Sequence, residues 1–222
     1  MLTSWPCPAS GGGTAPEYAL ALDRARKCRL LVVPALFDEA NRLRRFTVTA
    51  MRALNVAGID TFLPDLPGCN ESTQPLASAT LAQWRSALAA AATHFGATHV
   101  LALRGGALIA PDLPGWAYAP LKGETVLRQM LRMRVLSSRE AGREEQAGEL
   151  LTQGRAHGLD LAGYRLGPDM IAGLETALPT TTLTEISQGN IGGGGLWLRA
   201  EPDEAPDQSQ ALADLIARSL QC

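Results

Sequence analysis

The sequence predicts an α/β protein built on a mostly parallel sheet, and three observations carry that prediction. Short apolar runs of strand length alternate with amphipathic helical stretches through the first half of the chain. The run Thr98-His-Val-Leu-Ala-Leu103 passes directly into Arg104-Gly105-Gly106 and a second apolar stretch, Ala107 to Ala110. That is the pattern of a buried strand turning sharply at small residues. Finally, 46% of the 222 residues are hydrophobic, enough to bury a substantial core as one domain spanning 1–222.

Residues 1–28 are read as a partly flexible leader, because Ser10-Gly-Gly-Gly-Thr-Ala-Pro16 lacks any apolar period. A buried strand follows at Arg29-Leu-Leu-Val-Val-Pro34. Apolar Leu43, Phe46, Ala50, Leu54 and Ala57 then recur at helical spacing. Gly58 to Pro64 gives the second strand and leads into Asp65-Leu-Pro-Gly-Cys-Asn-Glu-Ser72, rich in turn formers. Leu81, Trp84, Leu88, Ala91 and Phe95 place a helix from about Thr80 to Phe95. With the strand ending at Leu103 these make two βαβ units. Right-handed crossovers and a ligand site at the strands' carboxyl ends are therefore expected.

The second half is less regular. Pro111 and Pro114 interrupt the segment after the turn, and residues 123–155 suggest a helical cap, with apolar Leu127, Met130, Leu131 and Val135. Strands are expected near Thr181–Ile186 and Leu196–Ala200, joined by a mobile hairpin connection at Gly189–Gly195. After the acidic connector Glu201–Pro206, Ala211, Leu212, Leu215, Ile216 and Leu220 mark a final amphipathic helix.

The chemistry centres on Ala102-Leu-Arg-Gly-Gly106. A serine nucleophile elbow reads G-x-S-x-G, its glycines relieving crowding around a strained central residue. Here Ala102 replaces the first glycine, Arg104 the serine, and Gly106 keeps the last. A guanidinium stays protonated and is no nucleophile. The general base is missing too. His99 lies five residues before Arg104, roughly 16 Å away along an extended strand; His94 falls near the end of the preceding helix, and His157 at another helix end. No histidine follows the last strand, where the hydrolase chain order would put it.

The Asp-x-Pro-Gly-x-x-x-Ser turn and the glycine elbow together resemble the α/β-hydrolase superfamily, so the expected fold class is a three-layer α/β-hydrolase-like fold with an abbreviated C-terminal part. Leu36 to Arg45, Asp65 to Ser72, Leu103 to Leu108, Leu127 to Arg132 and Leu161-Ala-Gly-Tyr164 are similar to the second family of exosortase A system-associated hydrolases. The similarity spans roughly residues 29 to 178. Those proteins also centre the elbow on arginine. The resemblance implies a hydrolase fold, with an unproven or altered activity, beside bacterial exopolysaccharide and protein-sorting machinery.

Twenty basic against 22 acidic residues exclude the basic balance of a nucleic-acid binder. No stretch is long enough to span a bilayer, and the N-terminal residues lack the pattern of a secretion signal, so a cytoplasmic protein is expected. Cys7, Cys28, Cys69 and Cys222 form no metal pattern, and reduced thiols are expected. No cofactor and no metal is expected. The arginines at 128, 132, 134, 139 and 143 raise contact with a membrane surface or protein partner. Interspersed glutamates favour an ion-paired solvent face instead.

Candidate pocket or anion-binding residues are Asp38, Glu39, Asn41, Arg104, Gly105, Asp65 and Ser72. In a buried site Arg104 must find carboxylates or an anionic ligand. A structural pair with the acidic loop after the first strand is favoured over a bidentate fork for a substrate anion. Cys69 and Ser72 are nucleophiles by type, but no base lies nearby and structural use in the turn is favoured. Two functions follow: a noncatalytic binder of a partner or anionic small molecule at the former active site, or an unconventional ester or thioester hydrolase using Arg104 and Cys69.

Overall fold

A computed structural model describes residues 1–9, 11–199 and 203–220. The chain opens with strands β1 (Leu2–Pro8) and β2 (Thr14–Leu22), then β3 (Arg29–Val33), helix α1 (Asp38–Val56), β4 (Asp60–Pro64), α2 (Leu81–His94) and β5 (His99–Leu103). Next come β6 (Gly115–Tyr118), α3 (Gly123–Glu140), α4 (Ala147–His157), the small hairpin β7 (Leu159–Leu161) and β8 (Tyr164–Leu166), and α5 (Pro168–Thr176). The chain continues through β9 (Thr184–Ile186), α6 (Gln188–Ile191) and α7 (Pro206–Ser219).

Seven strands form one sheet in the order β1-β2-β4-β3-β5-β6-β9. From β4 to β9 every pairing is parallel, whereas β1 and β2 add antiparallel to the β4 edge. The central parallel strands β3 and β5 are buried on both faces, which explains their apolar runs. On one face α1 and α7 cover Leu30, Val32, Leu101 and Leu103. On the other, Trp84, Leu88 and Ala91 of α2 join Val126, Met130, Met170 and Leu174 over Leu31, Val33, Val100 and Ala102. This is a three-layer α/β architecture.

Several expectations need correction. The segment read as a leader is the β1–β2 hairpin, with Trp5 opposite Glu17 and Cys7 opposite Ala15. Trp5, Cys7, Glu17 and Ala19 alternate inward along the two strands. The prolines and glycines mask this period, yet β1 is a sheet edge, where proline is tolerated. Ser10, which began the proposed leader motif, lies outside the described residues. The strand expected at Leu196–Ala200 is a 3-10 turn over Leu196–Leu198, with Ala200 outside the described residues. The glycine run is no hairpin connection: it begins within α6, whose start is closed by reciprocal bonds between Ser187 and Asn190. Cys7 and Cys69 are free thiols, whereas Cys28 is disulfide-bonded, against the expectation of reduced thiols.

Helix α2 illustrates how local sequence set its start. Thr80 accepts from Gln83 N–H while the Gln83 side chain accepts from Thr80 N–H, a capping box that satisfies two otherwise orphaned donors. No helix among the described residues is long and apolar enough to cross a membrane.

Candidate functional site

The site begins where β5 ends. Leu103 is extended, and Arg104 takes φ 53°, a left-handed conformation that costs a side-chain-bearing residue roughly 1 kcal/mol or more. A 3-10 turn over Arg104–Leu108 follows, in place of a long helix, before Pro111. Gly106 is required here. A Cβ at that position would stand 2.4 Å from the Pro34 carbonyl oxygen and 3.0 Å from that of Val33. The motif therefore retains the strained backbone of a nucleophile elbow with a cation at its tip.

That cation is enclosed. Arg104 is 5% exposed. Its Nε and Nη2 donate to the two Glu39 carboxylate oxygens at 3.0 Å each, and Nη1 donates to the Ala119 carbonyl at 2.9 Å. The guanidinium carbon lies 3.7 Å from the Trp197 ring centroid, a cation-π stack. Glu39 reaches this position from the first turn of α1, whose start follows Phe37 at φ 54°. The bidentate fork, a carbonyl and an aromatic face use the arginine as a structural centre. The tight turn from β3 into α1 brings this acid of α1 to the elbow.

The other candidates divide between two cavities. Asp38, Glu39 and Gly105 line a cavity of about 230 Å³ beside the elbow, walled by Val126 and Met130 of α3 and by Trp197. Asp38 is paired with Arg42 at 2.6 Å. Asn41, Asp65 and Cys69 line a separate cavity of about 430 Å³ between the loops after β3 and β4. Phe37 separates the two, lining both. Arg104 lines neither of them, because its partners cover it.

Ser72 is a staple of its turn. It donates to Glu17 Oε1 at 2.6 Å and accepts from Gly68 N–H at 2.8 Å and Gln74 N–H at 3.2 Å. Burial pushes the Cys69 thiol up to about 12, with the nearby carboxylates of Asp65 and Glu17 adding to the shift. Such a thiol holds its proton and is a poor nucleophile. Burial likewise raises the Asp65 carboxyl, opposed by Asn70 and Arg44. Of the histidines, His99 opens β5, where burial lowers its pKa, and its ring stacks on Trp116. His94 packs edge-on against Phe95, and His157 ends α4. Each therefore has a structural place at the far end of β5 or on a helix end.

Sequence reading missed Trp197, Glu17 and Tyr164. Trp197 sits in the 3-10 turn mistaken for a strand, and Glu17 in the hairpin mistaken for a leader. Tyr164 opens β8 after a two-residue turn in which Ala162 and Gly163 both take positive φ, and its hydroxyl accepts from Asn41 at 3.1 Å. The Ala-Gly pair was its one sequence signal. Among the described residues no group of three His, Cys, Asp or Glu side chains is placed to hold a metal.

Comparison of the coordinates with solved structures identifies the architecture. A proposed hydrolase from Agrobacterium vitis superposes with a TM-score of 0.52 over 99% of this chain and 97% of its own, at 13% identity. The fold is that of the α/β hydrolases. Est1E from Butyrivibrio proteoclasticus, solved with ferulic acid, matches at a TM-score of 0.47 and 14% identity over 72% of this chain and 67% of its own. The mouse α/β hydrolase domain-containing protein 10 matches at 0.46 and 13% identity over 63% of this chain, which amounts to 57% of the mouse protein. No family model matches the chain, and no curated protein matches it in sequence.

Proposed function

We propose that this α/β-hydrolase-like protein binds rather than cleaves, taking an anionic small molecule or a protein partner at the carboxyl ends of its strands without Ser-His-Asp catalysis. The observation that carries this reading is the occupancy of the elbow by Arg104, closed on Glu39, Ala119 and Trp197. A hydrolase needs a nucleophile at that position and a base beside it, and the elbow offers neither. The resemblance in sequence supports a role beside exosortase-associated exopolysaccharide assembly and protein sorting as part of this reading. The contrary reading, with Arg104 orienting an acidic ester and Cys69 attacking it, needs a free guanidinium and a thiolate. The paired arginine and the thiol raised to about 12 both weigh against it.

The test is turnover of purified protein against short acyl esters and thioesters, with Cys69→Ala and Arg104→Ser alongside the parent. No turnover above buffer is expected from any of the three. The serine variant isolates the missing base, since a hydroxyl at the elbow still has no imidazole beside it. Turnover by the parent that disappears in Cys69→Ala would overturn the binding reading.

A further inference from the structure

We infer that the 430 Å³ cavity between the carboxyl ends of β3 and β4 is a binding site for a small anion that also carries hydroxyl groups, of the chemical class of sugar acids and sugar phosphates. This rests on the binding reading above and moves its site away from the elbow, where Arg104 already has its anion in Glu39.

The cavity joins apolar walls to a small set of polar groups aimed in different ways. Pro34 and Ala35 follow β3, Pro64 ends β4 with Asp65 after it, and the β7–β8 hairpin contributes Gly163 of its turn with Tyr164 and Arg165 of β8. Asp65 is buried, 6% exposed, and its Oδ1 is held by Asn70 Nδ2 at 2.6 Å with Arg44 at 3.7 Å. No side-chain or backbone hydrogen bond to its Oδ2 is found among the described residues. A carboxyl oxygen of a mostly buried residue that lines a cavity has acceptor capacity to spare, and a ligand hydroxyl supplies the donor. Tyr164 accepts from Asn41 through its hydroxyl oxygen, so its own proton is left to donate.

Charge then decides the ligand's other end. Arg44 is half exposed and touches only one oxygen of Asp65, at a distance too long for a hydrogen bond. Arg165 also lines the cavity and is paired with the exposed Asp160. Two half-exposed guanidinium groups lining one cavity attract a carboxylate or phosphate and fix it by forked hydrogen bonds. The hydroxyl-accepting carboxyl lies deeper, and the Phe37 and Tyr164 rings, whose centroids are 5.4 Å apart, supply an apolar flank. An anion without hydroxyls offers no donor to Asp65 Oδ2, and a neutral sugar makes no ionic bond to Arg44 or Arg165. Cys69, with its raised thiol, serves as neutral wall in this cavity.

Calorimetric titration of the whole chain with glucuronate, glucose 6-phosphate, glucose and acetate tests the assignment. Binding of glucuronate, of glucose 6-phosphate or of both is expected, and their difference tells whether carboxylate or phosphate is preferred. Glucose and acetate should bind at least about tenfold more weakly, as should the preferred anion to Arg44→Ala and to Asp65→Asn. Arg132→Ala, at the smaller cavity, should bind as the parent does, and circular dichroism verifies that each variant is folded. Undiminished binding in both Arg44→Ala and Asp65→Asn overturns this site while leaving the binding reading in place. Equal binding of glucose or acetate, or no binding of any probe, overturns the ligand class. Ester turnover by the parent would instead strike the preceding reading.

Discussion

Replacing Arg104 with alanine should destabilise the fold rather than merely alter a pocket. The substitution leaves the Glu39 carboxylate, whose side chain is 15% exposed, without its bidentate partner, and strips the Ala119 carbonyl of its donor. Removing one member of a buried ion pair costs about 3–5 kcal/mol, because the survivor stays desolvated. Water reaching Glu39 places the effect at the lower end, about 3 kcal/mol. Alanine keeps the strain of φ 53°, so no relief offsets the loss. In a chain of this size each kcal/mol moves the melting temperature by about 2–4 °C, giving a drop of about 6–12 °C. Glu39→Ala should fall comparably. The double variant should lose less than the sum of the two singles by about 2 kcal/mol, since it removes both charges together. Urea melts of the three variants and the parent complete the cycle. Melting within about 2 °C of the parent for Arg104→Ala, together with additive losses, would refute a structural role for the pair.

Two further outcomes follow from the geometry. Gly106→Ala forces a Cβ against the Pro34 and Val33 carbonyl oxygens, which are backbone and cannot swing away, so a loss of about 3 kcal/mol or more is expected; a melting curve matching the parent's would contradict the close approach. Cys7 and Cys69 are both held to about 12 by burial, from an ordinary thiol value of 9.0. In the window between those values the unfolded thiols ionise and the folded ones do not. The unfolded state then binds fewer protons, and stability falls as pH rises. Their contribution is complete below about pH 9 and is lost on approach to about pH 12. Urea midpoints measured across this range should decline more steeply for the parent than for a Cys7→Ala/Cys69→Ala variant; parallel declines would remove the thiols from the account.

Periodic segments were legible because their physics is local. The apolar run of β5, the helical spacing of Leu81, Trp84, Leu88 and Ala91, and the Thr80–Gln83 cap each require only a few neighbouring residues. The elbow was legible for the same reason, since a glycine after a strand records a close backbone approach, and its arginine excluded serine chemistry without any coordinates. The β1–β2 hairpin was not legible. Its inward Trp5, Cys7, Glu17 and Ala19 acquire meaning only when β2 finds the edge of β4, some forty residues away. Nor could sequence separate a strand from a 3-10 turn at Leu196–Leu198, where the decisive contact is Trp197 stacking on a guanidinium more than ninety residues earlier.

By itself, then, the sequence determined the parallel α/β plan, the strained turn after β5 and the absence of serine and histidine from their usual positions, because residue type and short spacing carry those properties. Tertiary structure alone decided that Arg104 is closed on Glu39 and that Asp65, Asn41, Tyr164 and Arg44 converge on one cavity. Those facts depend on where α1, the β4 loop and the β7–β8 turn meet, and burial and pairing between distant segments are set by packing, which no local pattern encodes.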